Sequence, residues 1–410
     1  LDLVIIGAGA AGIGAARAAA KAGLSYRLVE ASHRIGGRAY TEDIAPGVPF
    51  DLGCHWLHFA ESNPLVPEAD RLGFTIDRSF FFTTRAWIDG RLTDAAESAE
   101  YEAYFGNTYA GFAAASHGTD VDALSTIDTE SRWFRPFAHV FTVINAAEAD
   151  QVSALDIASY PMEGSDWPVK EGFGRLVAKL GADLSVSLNT IVEEIDWSAR
   201  DHVTVRTNKG EITARATLIT VSIGILQSGM IRFRPALPAK TRDAIGGFLP
   251  GSANRIALHF DRDVFDDAPG NFTIVDGDAE PLAIYIPPFG FNYIVGQTGG
   301  NFSTHLTRAG QSAAIDYMME RTVSVFGAGV RKHFTRAIVS AWDTDPWVLG
   351  AYAAVKPGHF GARDILAQPV DDRLFFAGEA VAMPMVATCG GAFMSGTRAI
   401  GQIAGKLQTA

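Results

Sequence analysis

Cysteine is scarce in this 410-residue chain, which contains only Cys54 and Cys389. So few cysteines, far apart in the sequence, exclude a disulfide-rich scaffold and favour a reducing, cytoplasmic compartment. No Cys-x-x-Cys or His-x-His spacing indicates a metal site. No apolar run approaches the roughly 20 residues that span a bilayer, so we expect no membrane segment. Because residues 1–6 already form a predicted strand, we expect no signal peptide either.

Positive charge is also in short supply. Lys and Arg total 34 against 46 Asp and Glu, and the formal net charge is −12. This balance disfavours nucleic acid as a partner. It mildly favours a cationic small molecule, although an ordinary acidic soluble protein has the same charge. The length and the 48% hydrophobic content are sufficient for two packed domains. The oligomeric state is not determined by these features.

The opening segment LVIIGAGAAG, residues 3–12, predicts a buried parallel strand, a glycine turn and the start of a helix. Gly7 permits the turn, Gly9 lets the backbone approach a pyrophosphate, and Gly12 lets the helix pack against the strand. A second predicted strand ends at Glu30, where a carboxylate suits the ribose hydroxyls of an adenosine. The segment therefore predicts a dinucleotide site. Its other predicted members are Ala8, Ala10, Ala11 and Ala31.

Two further glycine-rich segments support the same ligand. Arg34-Ile35-Gly36-Gly37-Arg38 follows Glu30 and offers a second close backbone approach together with cations for the phosphates. Far downstream, DRLFFAGEA (372–380) predicts a strand that leads into the glycine-rich helix TCGGAFMSGTRAIGQIAG. We therefore expect both ends of the chain to fold onto one ligand.

This combination resembles the FAD-dependent amine oxidase family, which includes monoamine oxidases, polyamine oxidases and flavin histone demethylases. The resemblance runs nearly end to end, and six motifs occur in the family's order. The first motif combines GxGxxG, Glu30 and Arg-x-Gly-Gly-Arg. The other five are DLGCHWLH (51–58), SLNTIVEEI (187–195), VSIGIL…FRPALPAKTRDAI (221–245), W-x-x-D-P-x-x-x-G-x-Y (342–352), and AGEA followed by AT-x-x-G-A-x-x-SG (387–396).

The resemblance implies an α/β fold, in which a Rossmann-like FAD-binding domain carries an inserted α+β substrate-binding domain. The implied FAD-binding domain is discontinuous and comprises residues 1–75, 170–245 and 350–410. The implied substrate-binding domain comprises residues 76–169 and 246–349.

Local patterns agree with this division. Residues 202–221 predict three strands with a turn at Asn208-Lys209-Gly210. Residues 83–94 predict a hairpin about Asp89-Gly90. Residues 97–155 are rich in alanine and acidic residues and predict helices.

The activity implied by the resemblance is oxidation of a small primary or secondary amine. A hydride moves from the carbon beside the amine to flavin N5, and the imine hydrolyses to an aldehyde and an amine. Oxygen or another acceptor then reoxidises the flavin. Ala351 stands where monoamine oxidases carry the cysteine that binds FAD, which implies noncovalent FAD. Thr388 replaces their second aromatic wall, as in polyamine oxidases and histone demethylases.

The resemblance also assigns individual residues. Tyr352 takes the place of the flavin-facing tyrosine, Trp342 packs beside the flavin, and Val192 meets the adenine through its backbone. His58 matches the W-x-H histidine of polyamine oxidases, where a group titrating near neutral pH helps bind or deprotonate an amine. Tyr352, Trp342 and His58 also fit plain structural roles. Further cofactor residues assigned in this way are Gly53, Cys54, His55, Trp56, Gly378, Glu379, Cys389 and Ala392.

Two features concern the substrate. The resemblance is closest to the polyamine oxidase branch, but Cys389-Gly390 stands where that branch usually has Val-His, which weakens the transfer of its substrate specificity. Phe80-Phe81-Phe82 is expected to form a strand with at most two rings in the substrate pocket, because neighbouring side chains of a strand point to opposite faces.

The sharpest departure from the family is Arg255, in GSANRIALHF (251–260), where the family has a lysine tied to the reaction with oxygen. Arginine stays protonated and presents a fork, so it does not readily act as a base. Three interpretations are open: Arg255 binds a substrate carboxylate, as in an amino-acid oxidase; the protein is a dehydrogenase with another acceptor; or a neighbouring group replaces the lysine. A surface ion pair is the structural alternative. A flavin-dependent isomerase or desaturase-like protein, or a flavoprotein scaffold without turnover, represents the other classes.

Overall fold

The computed structural model describes residues 1–115, 118–160, 163–265 and 270–409. The α-helices are α1 (Ala10–Lys21), α2 (Leu65–Leu72), α3 (Ala95–Ala115), α4 (Phe134–Asn145), α5 (Ala154–Ala158), α6 (Phe173–Leu180), α7 (Ile223–Ser228), α8 (Ala239–Gly246), α9 (Gly300–Ala309), α10 (Gln311–Phe326), α11 (Ala362–Leu366) and α12 (Cys389–Thr409). Short 3-10 turns occur at Leu124–Thr126, Ala328–His333 and Glu379–Val381.

The strands follow the same chain order. They are β1 (Leu3–Ile6), β2 (Tyr26–Val29), β3 (Thr41–Ala45), β4 (Val48–Asp51), β5 (Trp56–Leu57), β6 (Thr84–Ile88), β7 (Arg91–Leu92), β8 (Trp167–Pro168), β9 (Val186–Ser187), β10 (Val192–Asp196), β11 (Val203–Thr207), β12 (Gly210–Ala214), β13 (Ala216–Ile219), β14 (Arg232–Arg234), β15 (Phe248–Leu249), β16 (Ala253–Phe260), β17 (Phe272–Asp276), β18 (Leu282–Tyr285), β19 (Tyr293–Gly299), β20 (Phe334–Val339), β21 (Ala354–Val355) and β22 (Leu374–Phe376).

One half of the molecule is built around a five-stranded parallel sheet. Across the described residues its order is β22-β13-β1-β2-β9, and each neighbouring pair is parallel. The central strand β1 has four apolar residues, all buried, because a parallel sheet is covered on both faces. Such a sheet, with helices between its strands, is the Rossmann-like architecture that the family resemblance implies.

Helices α1 and α12 pack together at glycines, and this contact joins the two ends of the chain. A Cβ at Gly14 would lie 2.5 Å from the carbonyl oxygen of Phe393, and a Cβ at Gly396 would lie 1.9 Å from that of Ala11. Any larger residue at these positions would separate the helices. The glycine spacing of the C-terminal helix therefore serves close helix packing.

A larger, mostly antiparallel sheet forms the second half, with β17 and β6 pairing in parallel. Ile256 and Leu258 of β16 pack on α10, in a cluster that includes Met318. Ala257 points to the opposite face and packs in a cluster with Phe50. The predicted alternation along β16 is confirmed, and it places Arg255 on the face that Ala257 shares.

The two sheets take their strands from different parts of the sequence. The parallel sheet uses strands within residues 1–75, 170–245 and 350–410, whereas the larger sheet uses strands within 76–169 and 246–349. The mixed α/β architecture is confirmed. The division of the chain into two domains at these boundaries stays a prediction.

Most local predictions are confirmed. The hairpin about Asp89-Gly90 forms, with φ values of 50° and 77° at its two turn residues. Residues 203–219 form the three predicted strands, and helices occupy much of 95–158. The strand predicted over 372–380 is shorter and covers Leu374–Phe376.

The prediction for Phe80-Phe81-Phe82 is wrong in its secondary structure. These residues precede β6, which begins at Thr84, and are not in a strand. Phe81 is 72% exposed, whereas Phe80 packs against Trp56 with ring centroids 5.1 Å apart. The hydrophobic composition favours a strand here, but the strand pairing of β6 begins only two residues after Phe82.

Candidate active site

A large cavity, of about 740 Å³, lies at the carboxyl ends of the parallel strands. Its lining includes Ile6, Val29 and Gly378, which end or follow β1, β2 and β22. The crevice outside the carboxyl ends of parallel strands is where doubly wound folds bind ligands. Arg255 and Gln297 of the larger sheet also line it, so both halves of the molecule contribute to one site.

The two N-terminal glycine motifs face each other across one side of this cavity. Gly9 and Gly36 form an isolated parallel bridge, and the Gly36 N–H donates to the carbonyl oxygen of Ala8 over 2.8 Å. A Cβ at Gly12 would lie 1.8 Å from the carbonyl oxygen of Gly7, so only glycine fits there. A Cβ at Gly9, by contrast, would meet only the Cα of Gly37, at 4.0 Å. Bare backbone with this open side suits a pyrophosphate.

Glu30 is fixed at the end of β2 by two backbone donors. Its Oε2 accepts the N–H of Ala8 over 2.7 Å, and its Oε1 accepts the N–H of Ser32 over 2.8 Å. Burial raises the pKa of Glu30, although these hydrogen bonds and Arg34 oppose the shift. Each carboxylate oxygen keeps acceptor capacity for a ligand hydroxyl.

The C-terminal segment reaches the same cavity through an ion pair. Arg38 Nη1 lies 3.1 Å from Glu379 Oε1 and also donates to the carbonyl oxygen of Ala351. The second carboxylate oxygen of Glu379 accepts the N–H of Ala353 over 3.2 Å. The expectation that both ends of the chain reach one site is met in this geometry.

Trp342, Tyr352 and Thr388 all line the cavity and are held by main-chain oxygens. Trp342 Nε1 donates to Leu52 O over 3.0 Å, and the Tyr352 hydroxyl donates to Val143 O. Burial raises the pKa of Tyr352, so it remains a neutral phenol at physiological pH. The Thr388 hydroxyl donates to Met385 O over 2.8 Å, and it accepts the N–H of Gly391 over 3.0 Å and thereby caps α12.

Asp51 and His55 form a buried pair beside Arg255. His55 Nδ1 lies 2.8 Å from Asp51 Oδ2, and Asp51 also accepts from Thr41 and from the N–H groups of Phe173 and Gly174. Burial raises the pKa of Asp51, but these hydrogen bonds outweigh it and the pKa is lowered overall. Burial and the Arg255 charge lower the pKa of His55 to about 4, so His55 is neutral at pH 7.

Arg255 is buried and lacks a carboxylate partner among the residues that the structure describes. Its Nη1 donates to the main-chain oxygen of Asp51 over 2.8 Å, whereas Nε and Nη2 have no partner within the described chain. A surface ion pair is therefore wrong for this residue. A buried cation with free N–H groups calls for an acceptor from a ligand or water.

The pKa of His58 shifts in the opposite direction from that of His55, which lies three residues earlier in the chain. Its Nδ1 lies 2.7 Å from Asp166 Oδ1, and both residues line the cavity. Burial lowers the pKa of His58, but the Asp166 carboxylate outweighs it and the pKa is raised overall. No sequence pattern indicated Asp166, which lies 108 positions from His58.

We expect His58 to titrate above its ordinary value of about 6.5, and His55 near 4. Carbon-13 NMR of labelled histidine rings across the pH range measures both. Asp166→Asn removes the opposing carboxylate and should lower the pKa of His58. Asp201→Asn, at an exposed carboxylate 2.8 Å from His202, is the matched control. An unchanged His58 pKa in Asp166→Asn would contradict the assignment.

The two cysteines lie in the same part of the molecule, despite their separation in sequence. Cys389 belongs to an apolar cluster against which Cys54 packs. Both are free thiols, and both line the cavity.

Sequence reasoning missed the apolar end of the cavity. There α3, α4 and β17 contribute a largely aromatic wall, although the only signal in the sequence was the i, i+4 spacing of Tyr101 and Phe105 on α3. The wall residues are Phe82, Tyr101, Phe105, Val140, Ile144, Tyr160, Phe272 and Ile274. Of the three phenylalanines at 80–82, only Phe82 belongs to this lining.

Nearly all the predicted site residues are brought together here. Ala8 and Gly12 are the exceptions, because they shape the turn from behind. The predicted residues that line the cavity are Gly7, Gly9, Ala10, Ala11, Glu30, Ala31, Gly36, Gly37, Arg38, Gly53, Cys54, His55, Trp56, His58, Val192, Arg255, Trp342, Tyr352, Gly378, Glu379, Thr388, Cys389 and Ala392. Their individual roles stay predictions.

Two kinds of feature are absent from the described residues. None of the helices there is long and apolar enough to cross a membrane. No group of three or more His, Cys, Asp or Glu side chains within the described ranges is placed to hold a metal ion.

A parallel sheet with this glycine cradle, joined to a second, mostly antiparallel sheet, defines a dinucleotide-binding protein. A family model described as "Flavin containing amine oxidoreductase" matches residues 114–404, and one described as "NAD(P)-binding Rossmann-like domain" matches residues 5–69. The chain therefore belongs to the flavin-containing amine oxidoreductase family and is an enzyme that acts on CH–NH bonds. The family resemblance and the predicted fold class are confirmed.

Similarities to individual proteins are consistent with this family membership. The chain is 26% identical to probable polyamine oxidase 4 of Arabidopsis thaliana, over 97% of this chain and 86% of that protein. It is 28% identical to lysine-specific histone demethylase 1 homolog 1 of Oryza sativa subsp. japonica, over 97% of this chain but only 51% of that protein. The structure of cyclohexylamine oxidase from Brevibacterium oxydans IH-35A has the same fold, with a TM-score of 0.86 and 21% identity, covering 100% of this chain and 99% of that one.

Proposed function

We propose that this chain binds FAD noncovalently and oxidises a small primary or secondary amine to an imine, which water hydrolyses to an aldehyde and an amine. The observation that carries the proposal is the single cavity that joins the glycine cradle to an aromatic wall. Family membership supports amine oxidation in general. The substrate is proposed on the cavity alone: its apolar end suits the carbon skeleton of an amine.

The residues fit FAD at both ends of the cavity. The cradle of Gly9 and Gly37 would hold the pyrophosphate, Glu30 would accept from the ribose, and Trp342 and Tyr352 would flank the flavin. When bound, FAD supplies the hydride acceptor at N5. The protein's contribution is then to orient the amine, exclude water and keep the amine unprotonated.

Proton handling falls to His58 in this proposal. An ammonium ion has no lone pair on nitrogen, so the amine must lose a proton before a hydride can leave the neighbouring carbon. His58 is held at Nδ1 by Asp166, which leaves Nε2 to exchange a proton with an amine. His55 remains neutral, because burial and Arg255 oppose its protonation.

An anaerobic stopped-flow titration of the flavin absorbance tests the proposal. Polyamines, acetylated polyamines, arylalkylamines and amino acids are mixed with the enzyme in turn, and air is admitted afterwards. We expect an amine to bleach the flavin and air to restore the colour. No bleaching by any amine would contradict the proposal and favour an isomerase-like activity or a scaffold without turnover.

Amino-acid oxidation is a second candidate, favoured by the free N–H groups of Arg255. A carboxylate would pair with this buried cation, and a bidentate contact would suit the guanidinium fork. Bleaching by an amino acid, with slower bleaching by the amine that lacks its carboxylate, would establish this candidate. The reverse preference would exclude it.

Noncovalent attachment of FAD predicts that denaturation releases the cofactor. After guanidinium treatment and ultrafiltration, all of the flavin should pass the membrane as FAD. Ala351 cannot form a thioether, and it is buried on the cavity wall. Flavin retained with the polypeptide would contradict the proposal, and peptide mapping would then examine Cys54 and Cys389.

The Arg255→Lys variant tests what the family lysine does. We expect reoxidation by oxygen to become roughly 10-fold faster, because a compact ammonium replaces a guanidinium fork that is tied to Asp51. Anaerobic bleaching by an amine should change little. Arg262→Lys, at a 65% exposed side chain, is the matched control. Unchanged reoxidation together with weaker amino-acid binding would assign Arg255 to the substrate carboxylate instead.

A further inference from the structure

Gln297 places a side-chain amide on the wall of the cavity. It lies on β19, which pairs with β16 on one side and with β18 on the other, so two neighbouring strands fix its main chain. The side chain is half-buried, and it makes no hydrogen bond within the part of the chain that the structure describes. Both the donor and the acceptor of the amide are therefore available to a ligand.

The register of the larger sheet places this amide beside Arg255. Arg255 and Gln297 are paired residues of the antiparallel strands β16 and β19. Ala257 and Val295 form the next pair on the same face and belong to one buried cluster. Paired residues of an antiparallel ladder have Cβ atoms about 4.5–5.5 Å apart. Because Arg255 and Gln297 both line the cavity, the guanidinium and the amide are neighbours on its wall.

This pair of neighbours favours the neutral form of an amine. Arg255 is a buried cation, and a like charge nearby disfavours an ammonium ion. A carboxylate at position 297 would pair with the guanidinium and cancel that effect, whereas a neutral amide does not. The amide oxygen can still accept an N–H from an uncharged amine. Gln297 therefore suits the form of the substrate that can lose a hydride.

We propose that Gln297 is a specificity-determining residue, which accepts an N–H of the neutral substrate amine at its side-chain oxygen and so selects primary and secondary amines over tertiary ones. The inference rests on the proposed function, because it concerns the amine that reduces the flavin. An N–H that donates to the amide leaves the nitrogen lone pair free. That lone pair forms the C=N bond as the hydride leaves the neighbouring carbon, and Gln297 itself neither gains nor loses a proton.

Anaerobic bleaching of the flavin-loaded enzyme by a matched pair of amines tests this assignment. The pair consists of the amine that bleaches the wild type fastest and its fully N-methylated tertiary analogue, which has no N–H when neutral. Gln297→Leu removes the amide and should slow bleaching by the first amine ~10-fold, the effect of losing one neutral hydrogen bond. Bleaching by the tertiary analogue should not change, so the preference between the two amines should shrink by the same factor.

A second variant keeps the size of the side chain and changes only its charge. In Gln297→Glu, a carboxylate beside Arg255 stabilises the bound ammonium ion, so the rise of the bleaching rate with pH should move to higher pH than in the wild type. A purely structural role for Gln297 would not move this profile. Gln402→Leu, at an exposed position of α12, is the matched control and should leave both measurements unchanged.

The outcomes separate this inference from the proposed function. If an amine bleaches the wild type but Gln297→Leu keeps the full preference for it over the tertiary analogue, the inference is overturned and the proposed function stands. Slower reoxidation by air with unchanged bleaching would also overturn the inference, and would assign Gln297 to the reaction with oxygen. Failure of every amine to bleach the wild type would overturn both.

Discussion

Gly12→Ala should weaken flavin binding by ~10- to 100-fold, the equivalent of about 1.4 to 2.8 kcal/mol. The new Cβ would lie 1.8 Å from the carbonyl oxygen of Gly7 and 2.9 Å from its carbonyl carbon. These are main-chain atoms of the turn itself, so no side-chain rotation relieves the clash. Helix α1 must move away from β1, and the N–H groups at its start then miss the phosphates.

Fluorescence titration of the flavin-free protein with FAD measures the effect, and circular dichroism checks that the variant is folded. Gly401→Ala, in the middle of α12, is the matched control, because its Cβ would meet no atom within 4 Å. That change should leave FAD binding intact and stabilise the helix by about 0.5–1 kcal/mol. Full FAD affinity in Gly12→Ala would show that this turn does not carry the cofactor.

Asp51→Asn should destabilise the folded protein by about 3–5 kcal/mol. Asp51 is 2% exposed, and its carboxylate accepts from four donors, including His55 Nδ1 at 2.8 Å. An amide cannot accept on its nitrogen, so one side of this network loses its acceptor. The negative charge nearest to Arg255 is lost as well, and the guanidinium is left buried without it.

The effect depends on pH in a defined direction. The folded-state pKa of Asp51 lies below its unfolded value of about 3.9, so the ionised carboxylate stabilises the fold fully above that value. The contribution is lost as pH falls through the folded pKa. The difference between wild type and Asp51→Asn should therefore be largest near pH 7 and shrink in acid.

Urea unfolding at several pH values measures this difference. Asp43→Asn is the matched control, since Asp43 is 43% exposed and pairs with Arg175 at 2.7 Å. An exposed pair of this kind contributes at most about 1 kcal/mol. Equal destabilisation by the two variants would contradict the role given to Asp51.

Much of the glycine-rich side of the candidate site was predictable from the sequence. Its residues lie in short runs, such as Gly7–Gly12 and Gly36–Arg38, in which spacing alone fixes the geometry of a turn. Local backbone requirements are visible in the sequence because they restrict the residue type: only glycine tolerates the 1.8 Å approach at position 12. The hairpin at Asp89-Gly90 was predictable for the same reason.

The rest of the candidate site was not predictable in this way. Asp166 and His58 are 108 positions apart. Cys54 and Cys389 reach one cavity only because α12 packs onto the start of the chain. Phe80-Phe81-Phe82 shows how composition misleads, since these three aromatic residues favour a strand but precede the strand β6. Contacts of this kind depend on how whole elements pack, and no local pattern records them.

The sequence by itself determined the strand–glycine–helix start, the acid at Glu30, the alternation along β16 and the membership of a flavin family. Each depends on residues close in the chain or on motifs kept in order. Only the tertiary structure decided that Arg255 is a buried cation without a carboxylate partner in the described chain. It also decided that burial and Arg255 lower the pKa of His55 whereas Asp166 raises that of His58, and that the two cysteines line one cavity. Burial and long-range partners control charge, and both arise only when distant segments pack together.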